Sequence, residues 1–202
     1  MARGGRIKDA KGIRMLASRS KKYQEAVRRR VDTLVEDTKK NIIAKFNVHP
    51  VTKEIEAGSS ATNMSNLLGG YGNLFTYIGF RSGSNPVSAI RRLLATIRLL
   101  KIRRSARTQG RIFVHDAIIS FPREKEISNV SRMPWEPKSW VYGIERGIDG
   151  FGYYMYKRFK GGRSKGGFQS ENKVNDVSFR TDKYLPTMLI EAEGMIKRGR
   201  RR

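Results

Sequence analysis

Between Lys22 and Phe46 the apolar positions fall at helical intervals. Tyr23, Val27, Val31, Leu34, Val35, Ile42 and Phe46 share one stripe, and charged residues fill the other faces. Neither glycine nor proline interrupts the stretch, so the pattern predicts one long helix with a core-facing stripe and a solvated Arg28-Arg29-Arg30 run. His49-Pro50 closes it, because proline forces the preceding residue into extended geometry. Val51–Glu56 alternates weakly and reads as a short strand. A small polar segment, Ser59–Asn66, leads to the cluster Gly69, Gly70 and Gly72, which supplies backbone freedom for a turn. The apolar run Leu74–Phe80 then reads as a strand.

Asn85-Pro86 is a helix start, with Asn85 as cap and Pro86 in the first turn. Val87, Ile90, Leu94 and Ile97 share its apolar face. Beyond Thr96 the run IRLLKIRR suits either helix or strand. Residues 111–121, RIFVHDAIISF, read as a strand with Phe113, His115, Ala117, Ile119 and Phe121 on one face, and Pro122 stops it. On that face His115 is expected to be a hydrogen-bonded core residue. After the loop MPWEPKSW, a stripe of Trp140, Ile144, Ile148, Phe151, Met155 and Phe159 predicts a second helix. Gly143, Gly147, Gly150 and Gly152 would sit inside it, each costing about 1 kcal/mol relative to alanine. Such glycines point to a backbone approached closely by a neighbouring strand or subunit, or to a bent or broken helix. Gly161–Gln169 reads as a flexible basic loop, Val174–Phe179 as a strand, and Leu185-Pro186 as the start of an amphipathic helix using Met188, Leu189, Ala192 and Ile196. The class expected is α+β: a long N-terminal helix and further helices packed on a small antiparallel sheet, with basic extended termini.

Charge changes this picture most. The chain has 202 residues and a formal net charge of +24, from 42 Lys and Arg against 18 Asp and Glu. A field of that size attracts polyanions and opposes self-association until it is neutralised. Residues 1–22 carry eight of the bases and one acid, Asp9, and are expected to be an arm that orders on nucleic acid or on a neighbouring subunit. The organisation expected is therefore a basic arm over 1–22, one α+β domain over 23–196 and a basic tail over 197–202. Between Arg91 and Arg111 there are eight bases and no acid, the densest internal positive stretch. The candidates to face DNA or another polyanion are Arg3, Arg6, Arg103, Arg104, Arg107, Arg163, Lys165, Arg200, Arg201 and Arg202.

The chain holds no cysteine, which excludes disulfides and thiolate metal sites. The N-terminus lacks the apolar core of a signal peptide, and no stretch approaches the roughly 20 apolar residues that span a bilayer, so a soluble protein is expected, with no membrane partner. The two histidines, His49 and His115, have no ligand-like spacing. GGYGN and GGRSKGG do not match phosphate-binding glycine loops. The acid pairs Glu54/Glu56 and Glu124/Glu126 read as surface residues with nothing to split their pKa values. No catalytic residue, metal site or cofactor is expected. Helix-turn-helix, zinc-finger and RNA-recognition signatures are also missing, although Tyr153, Tyr154 and Tyr156 beside Lys157 and Arg158 could form a stacking platform.

Two phrases carry a family resemblance. HPVTKEIEAG…NLLGGYGNLFTYIGF (His49–Phe80) and MPWEPKSWVYGIERGIDGFGYYMYKRF…GGRSKGGFQ (Met133–Gln169) resemble neck and tail-completion proteins of tailed, contractile-tailed above all, bacteriophages. The GGRSKGG loop departs from the serine-arginine-serine-glycine order of that family. The resemblance implies a non-enzymatic virion structural protein that joins and seals a DNA-filled head to a tail. It implies a homo-oligomeric ring, hexamer or dodecamer, at the head–tail junction, between the portal-side adaptor and the tail terminator, around non-specifically held DNA. Assembly would take place in the host cytoplasm. Subunit-contact candidates are His49, Pro50, Gly69, Gly70, Tyr71, Gly72, Trp135 and Trp140. The alternative function is a basic nucleic-acid-binding protein, such as a ribosomal or packaging-associated component, because basic arms on a small core also suit RNA.

Overall fold

Residues 20–68, 72–109, 112–134, 137–147 and 179–199 are described by a computed structural model. Helix α1 (Lys21–Val48) begins where the Ser20 hydroxyl accepts a hydrogen bond from the Tyr23 N–H at 3.3 Å. Its apolar stripe deepens along its length: Tyr23 is exposed, Val27, Val31 and Leu34 are half-buried, and Val35, Thr38, Ile42 and Phe46 are buried. Lys21 and Lys22, expected in the arm, are already helical. At the other end of the chain, Lys197 and the following two residues continue the last helix.

Helix α2 (Pro50–Ala57) follows at once. His49 takes extended geometry, φ −62° and ψ 135°, accepts the Val51 N–H on its ring and caps α2, while Pro50 fills the first turn. The strand expected over Val51–Glu56 is thus a helix, because a cap followed by proline starts one and because Val51 and Ile55, four apart, are buried together. A 3₁₀ turn (Gly58–Ser60) leads away from it. The strand expected over Leu74–Phe80 is likewise a helix, α3 (Leu74–Ile78). Asn73 accepts the Thr76 N–H at its start, and Gly79, in the left-handed region at φ 79°, closes it. An apolar run of this length has no period of its own, so its caps decide. Helix α4 (Pro86–Ala95) starts as expected, with Asn85 accepting the Ser88 N–H at 3.0 Å.

The ambiguous run after Thr96 is a strand. β1 (Arg98–Gln109) and β2 (Ile112–Ser120) form a two-stranded antiparallel sheet, with register shifts between Leu99 and Lys101 and between Arg104 and Thr108. Helices α5 (Glu124–Val130) and α6 (Trp140–Arg146) follow, and α7 (Leu185–Gly199) ends the described chain. The long helix expected from Trp140 stops at Gly147, whose φ of 87° and ψ of 154° no helix can hold; Ile148, Gly150, Phe151, Gly152, Met155 and Phe159 lie outside the described residues. So does most of the expected strand Val174–Phe179, and Phe179 itself is not in a strand. The class is α+β: among the described residues, seven helices with a small two-stranded antiparallel sheet.

The chain divides into two compact units. The first is Met1–Asp37 with Arg98–Ser120, the second Thr38–Ile97 with Phe121–Arg202. The fully buried apolar side chains are divided very unequally. Where burial is described, Val35 alone belongs to the first unit, and every other buried apolar residue, from Ile42 to Ala192, belongs to the second. In the first unit the Tyr23 ring of α1 and the His115 ring of β2 lie 5.6 Å apart. His115 is therefore half-buried against an exposed tyrosine rather than inside a core.

Candidate polyanion and subunit-contact surfaces

Three polar side chains hold the stretch around residues 45–80 and the start of α7 in place. Glu54, expected at the surface, is fully buried. On helix α2 it sits three residues after Val51 and just before Ile55, on the same inward face, and its carboxylate oxygens accept the Ser65 and Leu74 N–H groups, each at 2.7 Å. One side chain thereby satisfies two backbone donors of a loop that has no ladder to do so. Asn73 adds to this: besides capping α3, its amide donates to the Ser59 and Ala61 carbonyls at 3.0 and 3.1 Å. Glu145 does the same job at α7, its Oε1 accepting the Tyr184 and Thr187 N–H groups at 2.7 and 2.9 Å. A buried carboxylate spanning backbone donors is legible only once α2 is recognised as a helix, since its helical spacing puts Glu54 on the apolar face.

His49 stands at the edge of an aromatic cluster. Its ring centroid lies 4.9 Å from that of Tyr184, which also neighbours Phe46 at 5.7 Å and Trp140 at 6.0 Å; Trp140 meets the Phe80 ring edge-on at 5.9 Å. Nδ1 of His49 accepts the Val51 N–H at 3.3 Å, and Nε2 donates to the Lys183 carbonyl at 3.1 Å. That pattern needs the neutral ring. Burial lowers the His49 pKa, and the opposing pulls of the Asp182 carboxylate and the Lys183 carbonyl only partly offset it. Tyr184 is fully enclosed, its hydroxyl 2.8 Å from Thr52 Oγ1, and burial raises its pKa well above the ordinary phenol range. Such a ring is a core pillar with no ionisation to offer.

These placements sort the subunit-contact candidates. Trp140 is fully buried inside the second unit, so its side chain has no surface to give a neighbour; its position at the start of an apolar helical stripe makes it a core residue. His49 is mostly enclosed and spends both ring nitrogens within its own chain. Pro50 and Gly72 are exposed. Gly69, Gly70, Tyr71 and Trp135 lie outside the described residues.

The basic stretch from Arg91 to Arg111 is divided by the fold. Arg91 turns inward, its guanidinium making a two-pronged ion pair with Glu56 and donating to Asn47 Oδ1 at 2.7 Å. The hydrogen bonds from Arg91 hold the Glu56 carboxyl below its ordinary pKa. Arg103 stands on β1 opposite Asp116 and is exposed; position 104 stands opposite His115. Of the side chains at Arg104 and Arg107 nothing further is described. Arg3, Arg6, Arg163, Lys165, Arg200, Arg201 and Arg202 lie outside the described residues, as do Tyr153, Tyr154 and Tyr156. Sequence reasoning missed Arg98 and Lys101 as candidates, and both are exposed on β1.

The second unit has a shallow open cleft lined by Phe80, Arg81, Ser84, Asn85, Pro86, Arg132 and Pro134. Among the described residues no group of three or more His, Asp or Glu is placed to hold a metal ion, and no helix is long and apolar enough to cross a membrane. Compared with protein families, curated proteins and solved structures, the chain matches none of them significantly.

Proposed function

We propose that this chain is a non-enzymatic structural protein of a tailed-phage neck. In this reading identical copies form a ring that joins and seals the DNA-filled head to the tail, in a tail-completion or head-completion role. The phrase resemblance in His49–Phe80 and Met133–Gln169 supplies the family. The structural observation that carries the reading is the hairpin unit: a long two-stranded ladder with Val35 as its one fully buried apolar side chain where burial is described. Two-stranded ladders are marginal alone, and strands with unpaired outer edges invite further strands or chains. Each strand of this sheet has one such edge among the described residues. A hairpin of this kind, in the same chain as a well-packed helical unit, suits a part completed by the next copy in a ring. Closed rings use heterologous contacts, in which one face meets a different face of the neighbour. The +24 charge is then shared between DNA phosphates in the channel and acidic neighbours.

The test is to disrupt the gene in its parent virus and image the lysate by electron microscopy. DNA-filled heads beside complete, detached tails are expected. Joined particles of normal appearance would sink the neck reading. They would favour the second reading, a nucleic-acid-binding protein of ribosomal or packaging type, to which the exposed bases of β1 also speak. Saturable binding of folded RNA near physiological salt marks that alternative.

A further inference from the structure

In sequence, Arg98, Lys101 and Arg103 have no common period: the first two are three apart, which on a regular strand places them on opposite faces. The β-bulge at Leu100 changes that. Arg98 pairs with Ser120, Lys101 with Ile118 and Arg103 with Asp116, and those three partners are alternate residues of an uninterrupted stretch of β2. Cross-strand partners share a face, so the extra residue brings all three bases into one row. That row is on the open side of the sheet. Arg98, Lys101, Arg103, Asp116 and Ile118 are exposed and Ser120 at the row's end is half-buried, whereas on the other face Leu99, Ile102, His115 and Ile119 are half-buried and the small Ala117 is exposed. None of the three bases has an ion-pair partner among the described residues, in contrast to Arg91, and the face carries a single acid, Asp116.

We infer that this bulge-aligned row is a seat for the phosphate backbone of nucleic acid. The inference rests on the part of the neck reading that brings DNA against the protein, and it names the surface that does so. Spaced by two β2 residues each, the bases stand roughly 6.7 Å apart. One strand of duplex DNA advances about 3.4 Å per phosphate along its axis, and because the backbone also winds around that axis its successive phosphates stand about twice as far apart, a spacing that the row matches. Three long basic side chains on a hydrogen-bonded ladder face the polyanion in one plane. Contacts to phosphates carry no sequence information, so binding through the row is non-specific and sensitive to salt.

Binding of the full-length protein to a duplex of about 30 base pairs, long enough to span several phosphate contacts and followed by fluorescence anisotropy across a potassium chloride series, tests this. Replacing Arg98, Lys101 and Arg103 together by glutamine is expected to reduce the slope of log K against log salt by about 2.7, at about 0.9 for each phosphate no longer neutralised. The comparison variant replaces Arg28, Arg29 and Arg30 of α1 by glutamine, removes the same charge from exposed helix positions, and should change the slope far less. Inserting one alanine between Ile118 and Ile119 gives Leu100 a partner, keeps every charge but throws Arg98 out of the row, and should reduce the slope by about 0.9. If a variant loses its folded circular-dichroism spectrum, the single Arg103→Gln replacement serves, with the same reduction of about 0.9 expected. Equal reductions in the two triple variants would mean that only the overall field matters, and would overturn the inference. So would an absence of binding by the unaltered protein. Equally tight binding of polyglutamate, abolished in the same hairpin variant, would overturn it too, by assigning the row to an acidic protein. Lysate morphology decides the neck reading separately: detached tails with no effect of the hairpin variant leave that reading standing without this surface.

Discussion

A carboxylate that holds two backbone donors cannot be replaced by its amide without loss. In Glu54→Gln one of the two N–H groups, from Ser65 or Leu74, would face the –NH₂ of the new side chain instead of an oxygen. Leaving one buried donor unsatisfied costs about 1–3 kcal/mol, and urea unfolding of the variant should show that loss at unchanged slope. His49 makes stability depend on pH. Its folded pKa lies below 6.5, so from about pH 6.5 downwards the unfolded chain binds the proton first and stability falls until the folded pKa is passed. His49→Asn, which keeps a cap for α2, should flatten that part of the stability–pH curve. Glu56 acts at lower pH in the same direction, because its folded pKa lies below 4.5 and its pairing with Arg91 is lost as the carboxylate is protonated.

Elements here are defined by their ends. α2 and α3 are short and have apolar runs that suit strand or helix alike. His49 with Pro50 starts the first, and Asn73 with Gly79 bounds the second. The same cap-and-proline signal at Asn85-Pro86 predicts a helix start correctly, so the signal is legible in both places, but a weak alternation at Val51–Glu56 obscures it. α6 shows the converse. Its stripe from Trp140 continues in sequence, yet Gly147 adopts a backbone conformation open almost only to glycine and the helix ends there. A Cβ at Gly147 would meet Thr181 Cγ2 at 3.9 Å, an ordinary contact, so space is available and conformation is the obstacle. Gly147→Ala should therefore lower stability by about 1–3 kcal/mol, measurable as a reduced urea midpoint. Where burial is described the hairpin has no fully buried side chain, whereas every helix of the second unit has at least one. Hydrogen exchange on the isolated protein should find the β1 and β2 amides far less protected than those of the buried second half of α1. Protection comparable to α1 would contradict the idea that the hairpin is completed by another chain.

At the scale of the whole molecule, charge and burial are separated along the chain. Among the residues whose burial is described, the second unit holds almost all fully buried side chains, with the Phe46, Tyr184, Trp140 and Phe80 rings among its core. The first unit carries the bulge-aligned bases. With +24 charges, copies of this protein repel one another at low ionic strength. Self-association, followed by sedimentation, should therefore increase when short duplex DNA or moderate salt neutralises the field. A monomer under all of these conditions would remove the ring.

Local pattern was enough to define the long helix, the α4 start, the β2 strand, the C-terminal helix and the excess of positive charge, because a sustained period, a cap with proline and a charge balance are properties of neighbouring residues. The rest came from contacts between distant ones. Whether Glu54 faces water or two buried N–H groups depends on a loop that returns from ten and more residues away. Arg91 is an ion-pair partner of Glu56 while Arg98 has no ion pair among the described residues, although both stand in one basic stretch, because only folding brings a carboxylate to the first. The row of Arg98, Lys101 and Arg103 depends on one bulge in the pairing of β1 with β2. Strand pairing is a relation between distant residues, and no spacing within β1 alone contains it.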